Sequence, residues 1–158
     1  MRAIFVGLAI FFIAIFSAMY YANRFINDKE MDERTQSCAL DSIGGAELQA
    51  AVYSAKMGQS LVFRGWAADT TVGRVPDSID IVLENGDDVR LGIGSGKPTL
   101  PRPDVVTMYK SDGVLKSGFS INAAVTVPKA GDWDVHLVEH FSISTIVCFS
   151  NKVLRVSN

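Results

Sequence analysis

The chain has 158 residues, a formal net charge of -2 and 48% hydrophobic residues. That length suits one domain with an anchor. Its 15 Lys and Arg residues are scattered along the chain, so it lacks the clustered basic face that phosphate binding requires, and we expect no nucleic-acid partner.

The first element is an uncharged apolar segment, residues 3–22. A helix of that length spans about 30 Å, the thickness of a bilayer's hydrocarbon core. Tyr20 and Tyr21 end the segment where an aromatic belt would meet the headgroups. We therefore predict a transmembrane anchor over residues 1–23. The alternative is a cleaved signal sequence, although the apolar stretch is long for one and no clear small-residue cleavage site precedes a polar start.

Residues 24–37 are polar and charged, and they predict a solvated stalk. Cys38 and Cys148 are the two cysteines, and they bracket most of the remaining domain, residues 38–158. Such a pair favours a disulfide in an exported domain, and closing so long a loop stabilises a fold by roughly 4–5 kcal/mol in the chain-entropy model. Two buried free thiols are the alternative. The charges on either side of the apolar segment are nearly balanced and slightly oppose a cytoplasmic N-terminus. The disulfide therefore decides our prediction that the domain lies outside the cytoplasm.

The domain sequence alternates strand-like stretches with turns. Strands are predicted over residues 38–43, 60–68, 79–84, 89–93, 119–127, 133–137, 143–149 and 152–156, and residues 46–57 fit either helix or strand. Asn85-Gly86 predicts a type I′ hairpin turn, residues 94–103 a loop, and Pro103 the start of a short helical turn through Tyr109. This pattern predicts an all-β fold: an antiparallel, immunoglobulin-like β-sandwich preceded by a single transmembrane helix.

Three patterns that could carry chemistry do not fit their motifs. Residues 92–97 resemble a phosphate loop, but Leu91 and Pro98 stand where that motif needs glycine and a hydroxyl residue. His136 and His140 would lie about 13 Å apart on a strand, too far to share a metal ion. The aspartates that could bind calcium lack the spacing of a calcium loop; they are Asp77, Asp80, Asp87 and Asp88. We predict no catalytic, cofactor or metal site.

Three short signatures follow one another along the domain. They are Gly65-Trp66-Ala67-Ala68-Asp69, Arg102-Pro103-Asp104-Val105 with Tyr109 beyond it, and Ser117-Gly118-Phe119. As an ordered set, they resemble small β-sandwich modules of bacterial envelope proteins, often attached to surface-polysaccharide glycosyltransferases. The resemblance covers residues 65–137 and implies a non-catalytic accessory domain.

The residues themselves suggest structural roles for these signatures. We expect Trp66 to fill the space between the sheets, with Gly65 allowing close approach. Arg102 and Asp104 are expected to form a local pair that holds the proline loop, and Phe119 is expected to close the core at the start of its strand.

These features predict a single-pass protein of a bacterial inner membrane, with a domain in the periplasm or outside the cell that binds or scaffolds a protein or glycan partner. Exposure of Trp133, Tyr109 and Tyr53 on one concave face would favour a glycan, whereas a flat apolar edge would favour a protein. One alternative is a structural subunit of a larger membrane complex, in which Gly7 and Ser17 pack against a neighbouring helix. Another is a hydrolase or transferase that uses His136 or His140 beside a nucleophile.

Overall fold

The computed structural model describes residues 31–33, 38–49, 52–86 and 89–158. The predicted membrane anchor, residues 1–23, lies outside this part of the chain. Among the described residues, no helix is both long enough and apolar enough to cross a membrane. From Asp32 onward the chain forms one compact unit.

Strands make up most of this unit. Those described are β1 (Met31–Glu33), β2 (Cys38–Gly44), β3 (Glu47–Gln49), β4 (Val52–Lys56), β5 (Ser60–Ala67), β6 (Ser78–Asn85), β7 (Val89–Gly96), β8 (Gly118–Ala124), β9 (Gly131–Phe141) and β10 (Ser144–Ser157). Between β7 and β8 lie a short helix, α1 (Pro103–Tyr109), and a 3-10 turn, Asp112–Val114. The prediction of an all-β fold is confirmed.

The strands form two sheets. The large sheet has the order β3-β4-β10-β9-β6-β7, with β1 also pairing with β10, and the small sheet has the order β2-β5-β8. All the registers described are antiparallel except that of β4 and β10, which run parallel. The large sheet is therefore mixed, which the purely antiparallel prediction missed.

One apolar core contains side chains from both sheets, and β9 shows how the sequence builds it. Trp133, Val135 and Leu137 alternate with more polar neighbours, and all three are buried in this core. Successive side chains of a strand point to opposite faces, so every second residue of β9 faces the small sheet. The alternation that predicted β9 is therefore the alternation that fills the core.

The last strand differs from the prediction of two strands joined at Ser150-Asn151. β10 is continuous, and both of its halves pair with β9. The register shifts between Phe149 and Lys152, where Asn151 has a positive φ of 55°, and the Ser150 hydroxyl donates a hydrogen bond to the carbonyl of Val135. The polar pair is thus a β-bulge, in which extra residues bend a strand without reversing it.

The glycine-rich stretch is also a strand and not a loop, because β7 continues to Gly96. A Cβ on Gly94 would lie 2.8 Å from the Cβ of Ala123, and one on Gly96 would lie 2.7 Å from Ile121. These glycines therefore let β7 approach β8 of the other sheet closely. Residues 92–96 of the phosphate-loop pattern therefore lie in β7.

The smaller elements show further differences. Residues 46–57 contain the strands β3 and β4 in their described part, which settles their ambiguity. β8 ends at Ala124, earlier than predicted. The hairpin of β6 and β7 is confirmed, but Asn85 pairs with Val89, so the connection is longer than a two-residue type I′ turn.

Candidate functional surfaces

The two cysteines form a disulfide that joins the first strand of the small sheet to the last strand of the large one. Cys38 and Cys148 have Cα atoms 6.1 Å apart and are 110 residues apart in sequence. Both are buried in the core. The predicted pairing is confirmed, and it ties the two sheets together from the inside.

A buried acid stands beside this disulfide. Glu139 is fully buried on the core side of β9, and a carboxylate oxygen lies within 4.8 Å of both cysteine sulfurs. These three residues are the one group of possible metal ligands found among the described residues, but here the two sulfurs are bonded to each other. Glu139 was not predicted as a site residue, although continuing the alternation of Val135 and Leu137 assigns it to the buried face.

The three sequence signatures converge at one end of the sandwich, where β2 begins and β5 ends. Trp66 pairs with Gly118, and Gly65 pairs with Phe119. A Cβ on Gly65 would lie 2.1 Å from the backbone oxygen of Ala39 and 3.0 Å from the Phe119 ring. Only glycine fits at this position, because any side chain would collide with the backbone of β2. This agrees with the expectation that Gly65 allows a close approach.

Trp66 does not fill the space between the sheets. It lies in a second cluster with Val105 and Val114, and its ring centroid is 5.7 Å from that of Tyr109 on α1. Leu61 and Phe63 face the main core, so Trp66 has the opposite parity along β5 and points to the outer face of the small sheet. The helix α1 covers that face, and Trp133 is the tryptophan inside the main core.

Arg102 holds the segment before α1 through two carboxylates. Its Nε donates to Asp104 Oδ1 at 2.9 Å, one terminal nitrogen donates to Asp104 Oδ2 at 2.6 Å, and the other donates to Asp41 Oδ2 at 2.8 Å. The expected pair of Arg102 and Asp104 is present. Asp41 of β2, far from both in sequence, is a second partner of Arg102. The Arg102 side chain also lies over Gly118, where an added Cβ would meet it at 3.0 Å. This arrangement fixes α1 against the small sheet.

The hydrogen bond from Arg102 lowers the pKa of Asp104 from 3.8 to about 2. A carboxylate whose pKa is lower in the folded state stabilises the fold above its unfolded pKa, and that contribution is lost as the pH falls through the folded value. We expect the urea midpoint to fall between pH 4 and pH 2, and to fall less in Asp104→Asn. Equal acid sensitivity of both proteins would contradict this role for Asp104.

The remaining signature residue, Asp69, organises the loop that follows β5. Asp69 and Arg74 form a short antiparallel bridge, and Asp69 accepts a hydrogen bond from the backbone nitrogen of Thr71 at 3.0 Å. The Arg74 guanidinium lies 4.6 Å above the ring of Phe141. Asp69 therefore connects this loop to the end of β9, which is a structural role.

Both histidines lie on the outer face of the large sheet, each beside an acid of β6. His140 Nε2 is 2.8 Å from Asp80 Oδ2, and His136 Nε2 is 3.6 Å from Glu84 Oε2. Neither acid could be predicted from the sequence, because the register between β6 and β9 is not visible locally. Among the described residues, neither histidine is hydrogen-bonded to a hydroxyl or a thiol.

His136 is more buried than a solvent-facing position suggests. Burial lowers its pKa below 6.5, while the nearby Glu84 carboxylate opposes that shift. Its ring packs edge-on against Phe149 at 4.8 Å. The side chain is therefore mostly neutral at pH 7 and packs against Phe149.

Two aspartates of the calcium pattern, Asp77 and Asp80, lie in the described residues and bond to His140. Asp80 is bonded to His140, and the backbone nitrogen of Asp77 donates to the carbonyl of His140. Asp87 and Asp88 lie outside the described residues.

The aromatic residues that a glycan platform would expose are mostly inside the protein. Trp133 is 1% exposed and Tyr53 is 7% exposed, and Tyr109 is half-buried against Trp66. A shallow cavity of about 280 Å³ lies at the opposite end from the three signatures, beside Gly86 and Gly131. Trp133 contributes to its wall, so no described surface stacks these three rings for a sugar.

Comparison with known proteins adds no assignment. A scan of protein-family models found no match to this chain, and a search of curated proteins found none either.

Proposed function

We propose that this protein is a membrane-anchored, non-catalytic module of the immunoglobulin-like β-sandwich type, which stands on the extracytoplasmic face of the membrane and binds or scaffolds a protein partner. The proposal joins the apolar segment of the sequence to the disulfide-closed sandwich that follows it.

The immunoglobulin-like part of the proposal is supported by strand order. In the small sheet, β5 and β8 pair as strands B and E do; in the large sheet, β10, β9, β6 and β7 have the order G, F, C and C′. Two features differ from antibody domains. The disulfide joins β2 to β10 and not B to F, and α1 occupies the connection in which strand D would stand.

The observation that carries the extracytoplasmic location is the Cys38–Cys148 disulfide. Disulfides persist in oxidising compartments and are rare in the reducing cytoplasm. A domain closed by one, following an apolar segment long enough to span a bilayer, fits export with the N-terminus left in the membrane.

A protein partner is favoured over a glycan. The burial of Trp133 and Tyr53 removes the stacking surface on which the glycan alternative depends. In contrast, β7 forms one edge of the large sheet and carries a single charged side chain, Arg90, over its whole length. An edge strand offers backbone groups with which an extended segment of another protein can pair.

We expect a full-length fusion with alkaline phosphatase at the C-terminus to be active in bacterial cells and to resist carbonate extraction from membranes. The phosphatase needs its own disulfides, so it reports on the compartment. The matched control lacks residues 1–23 and should be inactive. An inactive full-length fusion would place the domain in the cytoplasm, and release by carbonate with a shortened N-terminus would identify a cleaved signal sequence.

The partner is tested by cross-linking the full-length protein in membranes, then identifying captured proteins and sugars. We expect proteins, with fewer captured by Leu91→Lys/Ile93→Pro, which disrupts the β7 edge. Capture of sugars alone would favour the glycan alternative. If the protein lacking residues 1–23 captures no partner even when another signal exports it, the alternative of a structural membrane subunit would be favoured.

A further inference from the structure

The register of β9 and β10 places an acidic side chain next to the disulfide. Glu139 pairs with Ile146, and Leu137 pairs with Cys148. Glu139 and Cys148 are therefore diagonal neighbours on the core face of the large sheet, where long side chains are within reach of one another. The disulfide brings Cys38 of β2 to the same point.

The carboxylate and the two sulfurs form one compact group. A carboxylate oxygen of Glu139 and the sulfurs of Cys38 and Cys148 all lie within 4.8 Å of one another. Glu139 and Cys148 are both 0% exposed, whereas Cys38 is 9% exposed. A thiol in solution therefore reaches the sulfur of Cys38 more easily than that of Cys148, and Cys148 exchanges its proton with a neighbour inside the protein.

Packing alone does not explain an acid at this position. The direct neighbours of Glu139 in the sheet are apolar, Ile79 on β6 and Ile146 on β10. A carboxyl group among apolar side chains costs free energy that an aliphatic side chain would not. The other titratable side chains buried in the described part of the chain lie elsewhere: Asp69 in the loop after β5, His136 on the outer face of β9, and Tyr53 on β4, which pairs with the part of β10 beyond its bulge. The titratable groups described beside Glu139 are thus the two cysteines.

Opening a disulfide moves protons as well as electrons. A thiolate attacks one sulfur, and the other sulfur leaves as a thiolate. A thiolate released among apolar side chains is a buried charge that costs free energy. A carboxylic acid beside it can take over the negative charge by giving up its proton, because the ordinary pKa of a glutamic acid, about 4.3, lies well below that of a thiol, about 8.5.

We propose that Glu139 carries the proton when an external thiol–disulfide carrier opens and closes the Cys38–Cys148 disulfide. In the opening direction, a thiolate of a dithiol attacks the Cys38 sulfur and the bond between the two protein sulfurs breaks. Cys148 leaves with the electron pair and receives the proton of Glu139. The second thiol of the dithiol then releases Cys38 as a thiol, so the carrier becomes a disulfide and the protein gains two electrons and two protons. Solvent returns the proton to Glu139.

Closing reverses these steps, with a carrier disulfide as the oxidant. The covalent tie between the two sheets is therefore reversible, and the proton that its opening and closing require is held inside the core. This inference goes beyond the proposed function, because neither the anchor nor the partner enters it.

The test measures how fast dithiothreitol, a dithiol, opens the disulfide in the full-length protein in detergent micelles, with free thiols counted by alkylation and mass spectrometry. Glu139→Gln keeps nearly the same size but has no acid proton to donate. Asp134→Asn is the matched control, because Asp134 is an acid on the exposed face of the same strand. Each protein is measured in native buffer and in urea above its unfolding midpoint.

In native buffer, we expect Glu139→Gln to open about 100-fold more slowly than the unmodified protein, the lower end of what a positioned proton donor contributes. In urea, where that position is lost, the two should open equally fast, and Asp134→Asn should match the unmodified protein in both solutions.

Three results would overturn the proposal. The first is equal or faster opening of Glu139→Gln in native buffer. The second is a slowing no larger than the change in its unfolding equilibrium constant, measured by urea denaturation of the oxidised proteins, which would give Glu139 a packing role only. The third is a difference that persists in urea, which would arise from the neighbouring sequence and not from the folded position.

Discussion

Replacing Cys38 and Cys148 together by alanine is expected to lower the free energy of unfolding by about 4–5 kcal/mol. The disulfide closes a sequence separation of 110 residues, and its loss returns that chain entropy to the unfolded state. Because a domain of this size has only about 5–15 kcal/mol of stability, the double variant should be near its unfolding limit. Urea denaturation of the full-length protein, followed by tryptophan emission, measures the change.

Two comparisons separate the disulfide from the packing of its sulfurs. Unmodified protein treated with a thiol reductant keeps the sulfur atoms in the core and should lose most of the same stability. The double variant itself should be insensitive to reductant. A reduced protein as stable as the oxidised one would contradict the chain-entropy account.

Gly65→Ala is expected to destabilise the domain by about 3 kcal/mol, the upper range for overpacking a close contact. The new methyl group would lie 2.1 Å from the backbone oxygen of Ala39. Backbone oxygen cannot rotate away, so β2 must separate from β5 at the register of Leu40 and Gly65. Near-ultraviolet circular dichroism should show the loss of the Trp66–Tyr109 contact, since Trp66 is the next residue of β5.

Gly92→Ala is the matched control for that substitution. Gly92 is also a strand glycine, but a Cβ there meets nothing within 4 Å, so the change in stability should stay within about 0.5 kcal/mol. Equal effects of the two substitutions would show that lost glycine flexibility, and not the contact with Ala39, causes the loss of stability.

The local alternation of apolar residues was enough to find most of the sheet-forming stretches. Strands β6 and β9 and most of the predicted β8 lie where period-two patterns predicted them, because the pattern itself records which residues are buried. The same alternation assigns Glu139 to the buried face with Leu137, and it places Trp66 on the opposite face from Phe63.

Other features depend on residues far apart in sequence. Whether Ser150-Asn151 turns the chain or bulges it depends on whether Lys152 continues along β9. Whether residues 94–96 form a loop or a strand depends on their pairing with Ile79–Ile81 and on the proximity of β8. Glycine and polar residues allow either outcome locally, so the partner strand decides.

The sequence alone determined that this domain is made of strands, that its two cysteines bracket it, and that an uncharged apolar stretch precedes it. Each of these depends only on composition or on the spacing of apolar residues within a short segment. Only the tertiary structure decided that Asp80 and Glu84 lie beside the histidines and that α1 covers Trp66. The physical reason is that hydrophobic burial acts on local patterns, whereas register and sheet order are chosen by contacts between segments that a linear pattern does not connect.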